Sequence, residues 1–181
     1  HFYPYFDELP HLNWENELQK ILIASMEVHD DEAFFKHLKY CSTLIEDGHS
    51  KIGKNQKAGQ MWLPFELELA NESLVVTRAG AEVIEVGDIV QRLDGENSLD
   101  VFKADTALIS GSPSWKKGDG LVGFGVDNQY SKAEIQVKRG NEIKTVTVTR
   151  DWADYEYDFI QKLDNDIYYI KLTDVYNIDT I

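Results

Sequence analysis

The sequence is poor in basic residues. It has 18 lysines and arginines against 32 aspartates and glutamates, which gives a formal net charge of −14 over 181 residues. The most basic stretches are two pairs, Lys116-Lys117 and Lys138-Arg139, whereas a nucleic-acid footprint needs a clustered stripe of positive charge. Phosphate backbones and anionic lipid headgroups repel a polyanion of this kind. The composition therefore argues against nucleic acid as a partner.

Cysteine and long hydrophobic runs are also scarce. Cys41 is the single cysteine, so no disulfide can form within the chain, and the cysteine count fits a reducing or an oxidising compartment equally. No apolar run approaches the roughly 20 residues that span a bilayer, so no transmembrane segment is predicted. The chain begins with His1 rather than Met, and we expect that its natural start has been removed. The lack of a signal peptide is then uninformative.

The sequence does contain enough apolar material to fold. Hydrophobic residues make up 43% of the chain and aromatic residues 12%, which argues against intrinsic disorder despite the high charge. The organisation along the chain favours three segments: a helical unit at 1–57, a β-rich domain at 58–150, and the start of a further domain at 151–181. We therefore predict an α+β fold.

The first third of the sequence predicts two helices. Apolar residues recur at steps of three and four between positions 11 and 29, with Asn13 placed as an N-cap. A second amphipathic helix is predicted from the Asp30-Asp31 cap through Ile45. Gly48 follows this helix, and a glycine just past the last periodic residue predicts a left-handed stop that leaves His49 at a fixed angle.

From about Gly59 the apolar period changes from 3.6 to 2, which predicts strands. The predicted elements are a hairpin of residues 65–69 and 73–78, a short strand at 89–93, a helix capped by Ser98 and reaching Leu108, a loop from Ser110 to Gly125, a hairpin of 133–138 and 143–149, and two strands at 159–163 and 167–172. The loop is predicted because five glycines break all periodicity there. The closing strands have no sheet to join, so we expect the chain to be a fragment of a longer protein.

The segment Asp47-Gly48-His49-Ser50 is the strongest candidate for chemistry. A histidine that projects from a helix C-terminus beside an aspartate can serve as a general base near neutral pH. The alternative is that His49 is a turn residue near the negative end of the helix. A triad of Asp47, His49 and Ser50 is rejected because neighbours in sequence rarely form one. No serine lies in a Gly-x-Ser-x-Gly elbow either.

Metal and cofactor sites are not predicted. The group His29-Asp30-Asp31 with His37 lacks a spacing typical of zinc. The acidic turns at 94–96 and 164–166 lack the EF-hand pattern, and the glycines of 120–125 have neither Walker nor Rossmann spacing. We expect no cofactor and no metal ion.

The order of motifs resembles the tail-specific, or C-terminal processing, serine peptidases, including their tricorn-like branch. In that family an Asp-Gly-His-Thr motif or a close variant ends an N-terminal helical unit, and a Gly-Asp-x-Ile…Asp-Gly stretch belongs to a PDZ-like domain. Here Asp47-Gly48-His49-Ser50 precedes the stretch Gly87-Asp88-Ile89-Val90…Asp94-Gly95, with Ser50 in place of threonine. Residues 168–172 are similar to the first strand of the family's catalytic α/β core.

This resemblance implies an architecture and an activity. The architecture is an N-terminal helical unit, a PDZ-like β-sandwich or barrel domain, and the first strands of an incomplete α/β core. The parent protein would hydrolyse peptide bonds through an acyl-enzyme, and it would be exported to the periplasm or cell envelope. The family's nucleophilic serine lies beyond the equivalent of Ile181, so this fragment is expected to be inactive. In the tricorn-like branch the general base maps to His49, whereas a core lysine does that work in the other branch.

The resemblance also implies a groove for a peptide or unfolded-protein substrate, which the PDZ-like domain would position or gate. Such domains take an extended peptide as an added strand and receive its carboxylate on backbone N–H groups. The equivalent loop is Met61–Phe65, in which Pro64 has no N–H to donate. The residues expected to line the groove are Leu63, Phe65, Leu67, Val101 and Phe102, with plain core as the alternative for all five. The alternative function is a non-catalytic peptide-binding or scaffold module.

Overall fold

The computed structural model of the chain describes Leu9 and residues 11–53, 59–127, 130–151, 160–164 and 166–170. The described helices are α1 (Trp14–Met26), α2 (Asp31–Thr43), α3 (Ser98–Thr106) and α4 (Pro113–Gly123). The described strands are β1 (Phe65–Ala70), β2 (Ser73–Ala79), β3 (Ile89–Leu93), β4 (Glu96–Asn97), β5 (Lys132–Arg139), β6 (Glu142–Thr149), β7 (Ile160–Asp164) and β8 (Ile167–Ile170). The chain is α+β, as the sequence predicts.

Six strands form one antiparallel sheet in the order β1-β2-β3-β5-β6, with β4 paired to β3. Both long predicted hairpins are confirmed. The β1–β2 turn has Asn71 and Glu72 at φ angles of 47° and 58°, the left-handed pair that matches the twist of a two-residue hairpin. Among the described residues this sheet is open, so the expected β unit contains no closed barrel.

The hydrophobic core lies on one face of this sheet. Alternate residues of β5, namely Ala133, Ile135 and Val137, are fully buried, because a strand turns every second side chain to the same face. Phe102 of α3 and Phe124, just after α4, join the same cluster. Each fully buried aliphatic side chain stabilises the fold by about 1.5–3 kcal/mol. The core thus fixes α3 and the end of α4 against the sheet.

Helices α1 and α2 begin where the sequence predicts. The side chain of Asn13 accepts a hydrogen bond from the Asn16 N–H at 3.1 Å, and Asp30 accepts one from the Ala33 N–H at 2.8 Å. These bonds satisfy N–H groups that the first helical turn leaves without a partner. Much of the apolar face of α1 is exposed within the described chain, including Leu18, Leu22, Ile23 and Met26.

Helix α2 ends earlier than expected. Its last residue is Thr43, and the hydroxyls of Ser42 and Thr43 each donate to a backbone carbonyl three residues earlier at 2.7 Å. Such side-chain bonds compete with the helical ladder. The left-handed residue after the helix is Glu46, with a φ of 56°, and not Gly48. The prediction of Gly48 as a left-handed stop is therefore wrong.

The segment from Ser110 to Gly125, predicted as a loop, contains helix α4. The Ser112 hydroxyl accepts a hydrogen bond from the Trp115 N–H at 3.2 Å, and Pro113 occupies the first helical position, where its fixed φ favours a helix. Gly120 faces α3, where an added Cβ would lie 2.2 Å from Cγ2 of Thr106. Gly120, one of the glycines that interrupt the apolar pattern, thus allows the close packing of α4 on α3.

Helix α3 is capped by a neighbour of the predicted residue. The Asn97 side chain accepts hydrogen bonds from the N–H groups of Leu99 and Asp100 at 3.0 and 3.1 Å. Ser98, the predicted cap, is buried and donates its hydroxyl to the carbonyl of Val90 on β3. The helix is therefore tied to the sheet from its first residue.

The last described elements are a separate two-stranded sheet of β7 and β8. They confirm the two predicted strands over residues 160–163 and 167–170, while Phe159, Lys171 and Leu172 lie outside the described residues. None of the described helices has both the length and the hydrophobicity needed to span a membrane.

Candidate functional site

The candidate site is the turn of residues 47–51, which follows α2. The Ser50 N–H donates to the Asp47 carbonyl at 2.9 Å. Oδ1 of Asp47 accepts a hydrogen bond from the backbone N–H of His49 at 2.9 Å and lies 3.0 Å from Nδ1 of the His49 ring. These contacts, with the backbone donor contributing most, hold the pKa of the Asp47 carboxyl below its ordinary value.

This geometry defines how His49 presents its ring. The side chain is 97% exposed, and its Nδ1 faces a carboxylate, so Nε2 is the nitrogen available to a reacting group. A carboxylate on Nδ1 orients an imidazole and stabilises the imidazolium that forms when Nε2 takes a proton. The turn therefore has the local arrangement of an oriented general base.

Trp115 of α4 packs against this turn. A Cβ added to Gly48 would lie 2.9 Å from the Trp115 ring, and one added to Gly111 would lie 2.7 Å from Cδ1 of the same ring. The Gly111 position would also be 3.1 Å from the Cα of Gly48. Two backbone segments thus approach one indole closely, and an alanine at position 48 would require the ring or the turn to shift.

Lys51 adds a polar contact between the turn and α4. Its ammonium lies 2.8 Å from Oδ1 of Asp119 and 5.5 Å from the centroid of the Trp115 ring. Both ends of the ion pair are partly exposed, so the pair contributes at most about 1 kcal/mol. It links the turn to α4. Trp115, Lys51 and Asp119 are absent from the sequence prediction because their contacts depend on α4, which the sequence pattern does not reveal.

The five predicted groove residues all belong to one apolar cluster. Leu63, Phe65 and Phe102 are buried within it, and Leu67 and Val101 are partly buried against it. The structure thus brings the five together beside β1 and α3. Their role as a groove stays a prediction.

The loop Met61–Phe65 has its backbone donors largely engaged. The N–H groups of Met61, Trp62 and Phe65 donate to backbone carbonyls at 2.7, 2.8 and 2.8 Å, and Pro64 has none to offer. A nest that captures a carboxylate needs several free N–H groups pointing at one place. This loop does not have that arrangement.

The two aspartates of the Gly-Asp…Asp-Gly stretch hold the fold. Asp88 is buried, and Arg139 donates to its two oxygens from Nε and Nη2 at 2.7 Å each. Those hydrogen bonds are the largest cause of a lowered pKa for the Asp88 carboxyl. Asp94 accepts from the N–H of Glu134 at 2.8 Å and from Nη2 of the buried Arg150 at 3.3 Å. The two aspartates of the motif therefore connect strands of the sheet and do not form a reactive centre.

Metal ligands are not gathered anywhere in the part of the chain that the structure describes: no group of three or more His, Cys, Asp or Glu side chains is placed to hold an ion. The carboxylate of Asp30 caps α2. His37 lies in the second turn of that same helix. The residues considered for zinc in the sequence are thus distributed over a helix start.

The elements that carry these contacts define an α+β fold. The chain is similar to solved structures of CPAF, a chlamydial serine protease. Mature CPAF aligns with a TM-score of 0.58 at 12% identity, over 80% of this chain and 30% of that chain. A serine-to-alanine mutant of CPAF gives 0.62 at 13% identity, over 82% and 30%.

A third structure, mature CPAF in complex with lactacystin, aligns with a TM-score of 0.58 at 12% identity, over 81% of this chain and 30% of that chain. The chain therefore spans less than a third of the length of these proteins, and at this identity the likeness concerns the fold. No protein-family description matches the sequence, and no curated protein matches it significantly.

Proposed function

We propose that this chain is the N-terminal part of a serine peptidase of the tail-specific type. The observation that carries the proposal is the fold likeness to CPAF over 80–82% of this chain. The motif order in the sequence points the same way. The parent protein hydrolyses peptides or unfolded proteins through an acyl-enzyme, and its nucleophilic serine lies outside this sequence. The fragment alone is inactive.

His49 is the proposed general base. Its Nε2 takes the proton of the attacking serine hydroxyl and later returns it to the leaving amine. The contact of Asp47 with Nδ1 supports this role, since it sets the ring orientation that the proton transfer needs. The packing of Gly48 on Trp115 supports it too, because a base must be held at a fixed position relative to its nucleophile.

The sheet is proposed to act as a PDZ-like domain that positions or gates the substrate. An extended peptide would add to β1, which is the outer strand of the described sheet order. The Lys117 ammonium of α4 donates to the Leu69 carbonyl at 3.3 Å and lies 2.5 Å from the Glu68 carboxylate. Helix α4 therefore lies beside the end of β1 that carries these two residues. Affinity would come from backbone pairing and from contact with Leu67 and Val101 rather than from carboxylate capture.

Export to the periplasm or cell envelope is part of the same proposal. It rests on the resemblance to the peptidase family, and one cysteine without a disulfide partner in the chain is compatible with it. Fractionation of cells that express the natural gene tests it. Recovery of the protein in the cytosolic fraction alone would contradict export.

The activity is tested on the longest natural chain that contains this sequence and continues past Ile181. Hydrolysis of a reduced, unfolded protein is measured for the wild type, for His49→Ala, and for His37→Ala as a control histidine on α2. We expect the wild type and the control to be active. His49→Ala should lower kcat by about 1,000-fold or more with little change in KM.

Each other result has a defined meaning. Full activity of His49→Ala would assign the base to another residue, such as a lysine of the core, and leave the peptidase proposal standing. Saturable binding of extended peptides without hydrolysis by the longest natural chain would instead establish a binding module. A coding region that ends close to Ile181 would give the same conclusion.

A further inference from the structure

A cavity of about 130 Å³ lies beside the turn that carries His49. Its lining comes from α2, from residues 50–52, from residues 108–110 and from α4. The polar lining residues are Lys39, Ser42, Ser50, Lys51, Ser110 and Asp119. His49 is not among them, but Ser50 and Lys51 belong to the same turn, so the cavity borders the candidate site.

Ser110 has a buried hydroxyl that lacks a partner. The residue is 3% exposed, and among the described residues its Oγ has no hydrogen-bond partner. Burying a hydroxyl unpaired costs about 1–3 kcal/mol, and native structures rarely leave such a group unsatisfied. The cavity that Ser110 lines is the place where a partner can sit.

The hydrogen-bonding balance of the cavity defines the chemistry of that partner. Three of its polar side chains are already engaged: the Lys51 ammonium pairs with the Asp119 carboxylate at 2.8 Å, and the Ser42 hydroxyl donates to a backbone carbonyl at 2.7 Å. The side chains of Lys39, Ser50 and Ser110 remain.

Among the described residues Lys39 makes no ion pair. Its nitrogen lies 5.5 Å from the centroid of the Phe35 ring. Burial raises the pKa of the Asp105 carboxyl, and the charge of Lys39 opposes that shift. An ammonium only donates hydrogen bonds, and each hydroxyl has one proton to donate. The remaining groups therefore offer donors and a positive charge, while the one lining carboxylate, Asp119, is occupied by Lys51. An anionic acceptor complements this set.

We propose that the cavity binds a small oxyanion, of the size of a carboxylate or phosphate group, held by the Lys39 ammonium and by the hydroxyls of Ser50 and Ser110. A volume of about 130 Å³ corresponds to roughly four water molecules at about 30 Å³ each, which accommodates such a group. The oxyanion is either a free ion or an acidic group of a peptide. The bound group joins α2 to the segment that follows His49. The inference does not rest on the proposed peptidase activity.

The test is a titration of the isotope-labelled chain followed by the NMR signals of the amides of Ser50, Lys51 and Ser110. The probes are sodium acetate, inorganic phosphate, and a short peptide with one aspartate. The controls are sodium chloride at matched ionic strength and the same peptide with asparagine in place of the aspartate. We expect saturable shifts with at least one oxyanion probe. Ser110→Ala and Lys39→Met should each weaken binding about tenfold, while Ser114→Ala, an exposed serine nearby, should leave it unchanged.

A stability measurement separates a filled site from an empty one. In buffer without a probe anion, Ser110→Ala should be at least as stable as the wild type because it removes an unpaired hydroxyl. Acetate or phosphate should then raise the Tm of the wild type more than that of Ser110→Ala. Saturation by acetate or phosphate would identify a free ion, and saturation by the aspartate peptide alone would identify a peptide source. Absence of saturable shifts with all three probes, or binding that survives both substitutions, would overturn the proposal.

Discussion

Arg139 holds Asp88 through two parallel hydrogen bonds of 2.7 Å each, across 51 positions of sequence. The Asp88 side chain is 1% exposed, and its Oδ2 also accepts the backbone N–H of Glu85 at 2.9 Å. One carboxylate thus joins the end of β5 to the loop before β3. The Gly87-Asp88 pair that marks the sequence is a determinant of the fold.

Replacing Asp88 by alanine should therefore destabilise the protein strongly. Removal of one partner from a buried ion pair costs about 3–5 kcal/mol, and we expect about 3 kcal/mol because the Arg139 side chain is 24% exposed and regains some water. Urea denaturation measures the loss. Glu82→Ala removes an exposed carboxylate from the same loop and should change the free energy of unfolding by less than about 0.5 kcal/mol. Equal losses in the two variants would show that Asp88 has no special role.

The same pair makes stability depend on pH in acid. The pKa of the Asp88 carboxyl is lowered in the folded protein, chiefly by the Arg139 hydrogen bonds, so near and below the unfolded value of about 3.9 the unfolded chain binds more protons. The stabilising contribution of the ionised Asp88 carboxyl is complete above the unfolded pKa and is lost as the pH falls below that value. Urea denaturation between pH 6 and pH 2.5 should show a falling free energy of unfolding. Asp88→Asn should give a shallower fall, and an unchanged slope would contradict the assignment.

Gly48→Ala should destabilise the packing of the turn of residues 47–51 against Trp115 of α4. The new methyl group would start 2.9 Å from the Trp115 ring, and such overpacking costs about 1–3 kcal/mol. Urea denaturation gives the cost, and a change in tryptophan fluorescence would locate it at Trp115. Gly53→Ala is the matched control, because nothing lies within 4 Å of its added Cβ. A neutral Gly48→Ala would mean that the indole moves freely.

Two glycines of α4 should respond in opposite directions to alanine. Gly118 has no atom within 4 Å of an added Cβ, so Gly118→Ala should stabilise the helix by about 0.5–1 kcal/mol through backbone propensity. Gly120→Ala would place its Cβ 2.2 Å from Thr106 and should lower stability by about 1–3 kcal/mol. Thermal unfolding of both variants distinguishes the signs. Stabilisation by both would show that α4 does not pack on α3 as described.

The Asp47 carboxyl should report on the His49 ring. Its pKa is held low first by the backbone N–H of His49 and then by the ring. His49→Ala keeps the backbone donor and removes the ring, so the pKa should rise part of the way towards its ordinary value. Carbon-detected NMR titration of Asp47 measures the change, with His37→Ala as the control. An unaltered Asp47 pKa in His49→Ala would show that ring and carboxylate do not interact in solution.

Elements with a strong local pattern were predictable from the sequence. The alternation of β5 and β6 and the cap residues Asn13 and Asp30 gave correct strands and helix starts, because each depends on neighbours in the chain. Helix α4 was not predictable from apolar periodicity, since Gly118, Gly120 and Gly123 interrupt it. Its one local sign was Ser112 followed by Pro113.

The candidate site was predictable only in part. His49 and Asp47 stand two positions apart, so their contact follows from the sequence order of the motif. The contacts of Gly48 with Trp115 and of Lys51 with Asp119 join residues 67 and 68 positions apart. No local pattern specifies such pairs, and they depend on the tertiary placement of α4. The cavity beside Ser110 depends on the same placement.

The backbone bridge between Trp62 and Asp151 brings together the two ends of the segment that forms the sheet. Their N–H groups donate to each other's carbonyls at 2.8 and 2.9 Å, although almost half of the chain lies between them. The chain therefore enters the sheet before β1 close to the place where it leaves the sheet after β6. Adjacent ends of this kind are the geometry that tolerates insertion of a domain into a host chain, or circular permutation. Closing that bridge requires a long loop, so we expect it to form late in folding.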